Sequence, residues 1–173
     1  SQGSAVGDQA VDTVYKEILQ ETGETAFIGY EHEDAPLESR QGDWRLHGDN
    51  GEQYLEVATK VSALIVDGKS VNQATVGSAE VILNPTPFYG ESGGQVGDRG
   101  IVVTETGTLI EIETCQKPVD KLIVCRGRII KGSIQTGESV WAGYQPKHRK
   151  EIRAHHSATH LLHSSLREVL GDH

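Results

Sequence analysis

Between residues 25 and 145 the apolar residues of this chain come in short runs, each soon cut off by Gly, Asn, Asp or Pro. Short Val-, Ile- and Leu-rich runs bounded by turn-formers are the pattern of strands that bury one face, not of helices. They fall at residues 25–30, 53–66, 79–83, 100–103, 109–114, 122–130 and 138–144. The second is long enough for one extended strand or two, and Asp67-Gly68 after it is a hairpin turn signal. Gly107, Gly127, Gly132 and Gly137 punctuate the later runs. Many short strands with regular turn signals predict a mainly β fold, a closed or nearly closed antiparallel barrel over residues 25–145. Residues 34–51 are polar and turn-rich and read as a long loop.

The flanks differ. Val11, Val14, Tyr15, Ile18 and Leu19 form one apolar stripe at helical spacing, so residues 5–24 are expected to hold a short helix docked on something. Asp8 or Asp12 is positioned to cap it, and Gly23 to end it in a left-handed conformation. At the other end Pro146 suits a first helical turn, and Ile152, Leu162, Leu166, Val169 and Leu170 keep helical spacing up to Gly171. Residues 146–173 therefore read as a helix opening a further structural unit. The chain has no Met and begins Ser1-Gln2-Gly3-Ser4, so residues 1–4 read as a tag remnant and the whole as a piece of a longer protein.

Composition removes some classes. The longest apolar runs are far shorter than the roughly 20 residues a membrane-spanning helix needs. Two cysteines permit one disulfide at most, which excludes a disulfide-stapled scaffold. A net charge of −9 disfavours a whole-surface grip on DNA or RNA, leaving nucleic-acid contact to a local patch. The one such patch is Lys147, Arg149, Lys150 and Arg153, and a run of this kind is more often a solvated helix start than a binding site.

Two segments stand apart from the scaffold. Phe88-Tyr89-Gly90-Glu91-Ser92-Gly93-Gly94-Gln95-Val96-Gly97-Asp98-Arg99-Gly100 is a glycine-rich loop able to bring backbone N–H groups close to a ligand. It matches neither a Walker loop nor the dinucleotide fingerprint, and an elaborate hairpin turn accounts for it equally well. The second segment is His155-His156-Ser157-Ala158-Thr159-His160-Leu161-Leu162-His163. On a helix, His156 and His160 lie one turn apart on one face, the spacing of two imidazoles on one zinc ion. No Glu follows His156, so the metallopeptidase arrangement is excluded. Zinc needs three or four protein ligands. Cys115 and Cys125 are possible completers, though small core residues is the simpler reading.

Taken together, in this order and about sixty residues apart, the two segments resemble the alanyl-tRNA synthetase family. Phe27-Ile28-Gly29-Tyr30 and Arg126-Gly127-Arg128-Ile129-Ile130-Lys131-Gly132 resemble it as well. The departures are His155 for an Asn, Gly90 for an Ala, and Cys125 where a His is common.

The resemblance implies a linking β-barrel followed by the first helix of an editing domain. Its parent joins alanine to tRNA(Ala) with ATP and magnesium in another domain, and hydrolyses tRNA mischarged with serine or glycine. It implies His156 and His160 as zinc ligands, with the remaining ligands outside the chain. Glu91, Ser92, Gly93, Gly94, Gln95 and Asp98 become editing-pocket candidates, and Lys147, Arg149, Lys150 and Arg153 tRNA-contact candidates. Such a piece is expected to be inactive alone, in a cytoplasmic or organellar parent. The alternatives are a piece of a freestanding trans-editing deacylase, or a metal-free barrel that binds tRNA or a protein partner.

Overall fold

The computed structural model describes residues 13–29, 35–49, 51–92, 97–147 and 149. Within these residues ten strands follow a helix, α1, at residues 13–22. They are β1 (Trp44–Asp49), β2 (Glu52–Val66), β3 (Lys69–Val71), β4 (Gln73–Ala74) and β5 (Gly77–Leu83). After these come β6 (Gly100–Val103), β7 (Leu109–Val119), β8 (Leu122–Lys131), β9 (Ile134–Gln135) and β10 (Ser139–Tyr144). The order β2-β10-β6-β7-β8-β5 returns to β2 through the β2–β5 pairing, which closes a six-stranded antiparallel barrel. Strands β1 and β3 pair with β2 outside that ring, and β4 and β9 form a separate two-stranded sheet.

The 15-residue β2 makes closure possible by serving two sets of neighbours. Its first half pairs with β1 and β10, its second half with β3 and β5. Between Val61 and Ala63 the register shifts, so Ser62 is an extra residue on β2. An extra residue reverses the alternation of a strand's faces. Hence Leu55, Val57 and Val61 point into the barrel before the bulge, and Leu64 does so after it. Ala63 and Ile65 are thereby turned outward.

That outward face is not left bare. Ala63, Ile65, Ile82, Leu122 and Val124 meet Tyr15 and Ile18 of α1 in a second buried cluster. Tyr15 also donates its hydroxyl to Glu80 Oε1 at 2.5 Å, tying the helix to β5. The helix ends where Gly23 takes φ 79° and its N–H donates to Leu19 O at 2.9 Å, as the sequence predicts.

Three sequence expectations change. Residues 34–51, expected as a loop, contain a 3-10 turn at Leu37–Ser39 and strand β1. Among the β1 residues whose burial is described, Trp44 alone is buried, so the strand is held by its ladder to β2 and leaves little apolar trace. The strand expected at 25–30 reduces to a single bridge, Phe27 with Thr86, among the described residues. Strand β7 continues past residue 114 to Val119, meeting β8 through a turn in which Lys121 has φ 70°. Residues 146, 147 and 149 are helical, and Arg149 N–H donates to Gln145 O at 3.0 Å. The rest of the expected C-terminal helix, and the editing domain it would open, lie outside the described residues. Among the described residues no helix is long and apolar enough to cross a membrane.

Candidate functional site

The glycine-rich segment leaves the barrel after β5 and returns into β6, with residues 88–92 and 97–100 described. Its outgoing arm is anchored by Phe88, which is fully buried in the barrel core. Beyond it the backbone runs beside β7. Glu91 N–H donates to Cys115 O at 3.0 Å, and Lys117 N–H donates to Glu91 O at 2.9 Å. The returning arm lies against the same strand, with Gly97 N–H donating to Thr114 Oγ1 at 3.0 Å. A Cβ at Gly97 would overlap the backbone of Cys115, so only glycine permits this approach.

Asp98 closes the neck between the arms. Its Oδ2 accepts the Tyr89 N–H at 2.7 Å and also a bond from Arg149 Nη2. Arg149 in turn donates from Nη1 to Gly29 O at 3.2 Å and from Nη2 to Pro87 O at 2.8 Å. Its guanidinium carbon lies 3.3 Å from the centroid of the Tyr144 ring. The Arg149 side chain is 4% exposed and that of Asp98 15% exposed. A buried charge is tolerable only when paired and hydrogen-bonded, and here both conditions are met.

This geometry redistributes the sequence candidates. Asp98 and Arg149, assigned to a pocket and to tRNA respectively, are partners of one another. The guanidinium offered to tRNA is turned inward, with three of its N–H groups donated to two backbone carbonyls and a carboxylate. The sequence signal for this was present but ambiguous, since a basic run at a helix start does not say which member points in. Lys147 is exposed, Ser92 is exposed and Glu91 is half-buried. Gly93, Gly94, Gln95, Lys150, Arg153, His156 and His160 lie outside the described residues.

Both cysteines are core residues. Cys115 and Cys125 are cross-strand partners on β7 and β8, fully buried in the barrel, with Cys115 Sγ donating to Cys125 Sγ at 2.7 Å. Burial, reinforced by that hydrogen bond, raises the Cys115 thiol well above its ordinary pKa. Among the described residues no group of three His, Cys, Asp or Glu side chains is arranged to hold a metal ion.

A second charged cluster sits on the outer face of β1, β2 and β10. Glu56 is fully buried, and its Oε1 accepts from Arg45 Nε at 2.8 Å with His47 Nδ1 at 3.4 Å. Arg45 also stacks over Trp141, 4.0 Å from the ring centroid.

Residues 2–148 match the family model described as tRNA synthetases class II (A), and the chain belongs to that family. More particularly, it is homologous to alanine–tRNA ligases. It is 42% identical over 168 residues to that of Mesorhizobium japonicum and 40% identical over 169 residues to that of Myxococcus xanthus. It is 37% identical over 174 residues to that of Anaeromyxobacter dehalogenans. These alignments cover 96%, 96% and 100% of this chain. They span only 16% or 17% of the length of the relatives. The family resemblance carried by the two sequence motifs is thus borne out.

Proposed function

We propose that this chain is the barrel and the opening of the editing domain of an alanine–tRNA ligase. In this reading the whole enzyme charges tRNA(Ala) with alanine, using ATP and magnesium in a separate domain. The present region then serves the hydrolysis of tRNA(Ala) carrying serine or glycine. The observation that carries the reading is homology along 96% of the chain to proteins named as alanine–tRNA ligases, including both motifs that stand apart from the scaffold. The compartment is proposed to be the cytoplasm, or an organelle if the enzyme carries a transit peptide.

The bond to be cleaved is an ester between an amino acid and a ribose hydroxyl. Its hydrolysis needs an attacking water and donors for the oxyanion that forms. The N–H groups of Tyr89, Glu91 and Gly97 already donate within the fold, so that second role falls to the loop candidates Ser92, Gly93, Gly94 and Gln95, with Glu91 and Ser92 supplying polar side chains. His156 and His160 are donors of the type zinc takes, and two further ligands or one would complete the set. Zinc bound there would supply a Lewis acid for the ester or for the attacking water. A site that discriminates serine from alanine needs a polar partner for the serine hydroxyl, because an apolar pocket rejects an added hydroxyl weakly.

The test is single-turnover deacylation of seryl-tRNA(Ala) by the full-length enzyme and by its His156→Ala/His160→Ala variant. Hydrolysis by the parent, with a loss of 100-fold or more in the variant and intact alanine charging, is expected; about 10²-fold is the scale for losing metal ligation or its support. Equal rates in the two proteins would remove the zinc-dependent editing role. The metal-free tRNA-binding alternative is weakened by the inward position of Arg149, which takes one cation out of the basic patch.

A further inference from the structure

We infer that Asp98 and Arg149 form a positioning latch. It fixes the glycine-rich loop relative to the helix that starts at Pro146, and so sets the geometry of the proposed editing site. The inference rests on the editing reading for its catalytic consequence, but its structural half stands on the contacts alone. Neither residue is offered as touching substrate.

Arg149 gathers points that are remote in sequence. Gly29 belongs to the segment after α1, Pro87 and Asp98 flank the loop, and Tyr144 ends β10. None of these contacts belongs to the ladder that closes the barrel, which is completed by strand pairing alone. Asp98 adds the Tyr89 N–H, so a single carboxylate oxygen binds both the outgoing arm of the loop and the first turn of the helix. Loop and helix are therefore referenced to one buried charge pair rather than to each other through solvent.

The residue type matters. The guanidinium is a planar fork that reaches two backbone carbonyls and a carboxylate together while stacking on a ring, which a lysine ammonium does not reproduce. On the reading proposed above, the loop held at Asp98 carries the pocket candidates Glu91 and Ser92, so a change at the latch would displace them. Displacements of about 1 Å in catalytic groups cost up to roughly 10²-fold in rate.

The experiment uses the full-length ligase with Arg149→Gln, Arg149→Lys and Asp98→Asn, read in two independent ways. Hydrogen exchange reads the latch. The Tyr89 amide is expected to exchange about tenfold faster or more in Arg149→Gln and Asp98→Asn, while amides of β2 and β8 keep their protection. Seryl-tRNA(Ala) hydrolysis reads the consequence. In Arg149→Gln kcat is expected to fall ten- to a hundredfold, with KM within about twofold, and Arg149→Lys should recover part of the loss. Unchanged Tyr89 exchange overturns the latch. Loosening of the whole barrel shows a general stabilising role and overturns positioning, as does local loosening with undiminished kcat. If the unaltered enzyme does not hydrolyse seryl-tRNA(Ala), or tolerates loss of both histidines, the editing reading fails, while the exchange data still decide whether the latch exists.

Discussion

Cys115 and Cys125 face each other across β7 and β8 with no exposure to solvent. A thiol reacts through its thiolate, and burial with a mutual hydrogen bond holds Cys115 in the protonated form. Alkylation therefore waits for the barrel to open. Native protein is expected to react with iodoacetamide at Cys115 at least about 10³-fold more slowly than unfolded protein, the ratio set by the opening equilibrium. Peptide mass spectrometry of a timed series measures it, and comparable rates with and without urea would mean the pair is accessible. At this scale the sequence was informative about residue type and poor about direction. That the cysteines are small core residues could be read from residue type, free cysteine being among the most buried side chains, but not from alternation, since the register shift between Ile112 and Thr114 puts Cys115 out of step with Ile110 and Ile112. That Arg149 turns inward while Lys147 stays exposed could not, because adjacent positions on a helix start differ only in which way the helix is rolled.

Elements are legible in the sequence to the degree that they bury their own apolar residues. Strands β5, β8 and β10 announce themselves because one face of each fills the barrel. Strand β1 does not, since β2 supplies its hydrogen-bonding partner and solvent meets most of its side chains. The extra residue at Ser62 was equally hidden. A run as apolar as the second half of β2 is buried on both faces, inside by the barrel and outside by α1, so its alternation is masked. The docking partner of α1 follows from that same outward face. Ile18 is 2% exposed, and Ile18→Ala is expected to cost about 2–5 kcal/mol, the usual range for emptying a buried aliphatic site. The loss should be local: urea unfolding gives its size, and hydrogen exchange should show α1 amides released before those of β2. An unaltered urea midpoint would mean the helix contributes no docking energy.

The molecule as a whole carries a net charge of −9, and among its described residues two acidic protons are held where water cannot easily replace them. One is on Cys115. The other is on Tyr15, whose phenol is pushed well above its ordinary value, chiefly by burial and then by its hydrogen bond to Glu80. In an unfolded chain these groups titrate near about 8.5 and 10. Above each value the unfolded state gives up a proton that the folded state retains, so folding becomes less favourable as pH rises. The stabilisation is fully present at neutral pH, begins to decline above about 8.5 through the thiol, and declines further above about 10 through the phenol. Self-repulsion of a negatively charged molecule acts in the same direction, but salt screens it and leaves buried groups largely unaffected. Urea midpoints at pH 7, 9 and 10.5 in high salt therefore isolate the buried pair. A stepwise fall is expected, with Tyr15→Phe removing only the part above pH 10 and Cys115→Ser only the earlier part. A midpoint that stays level to pH 10.5 would show that neither proton is held by the fold.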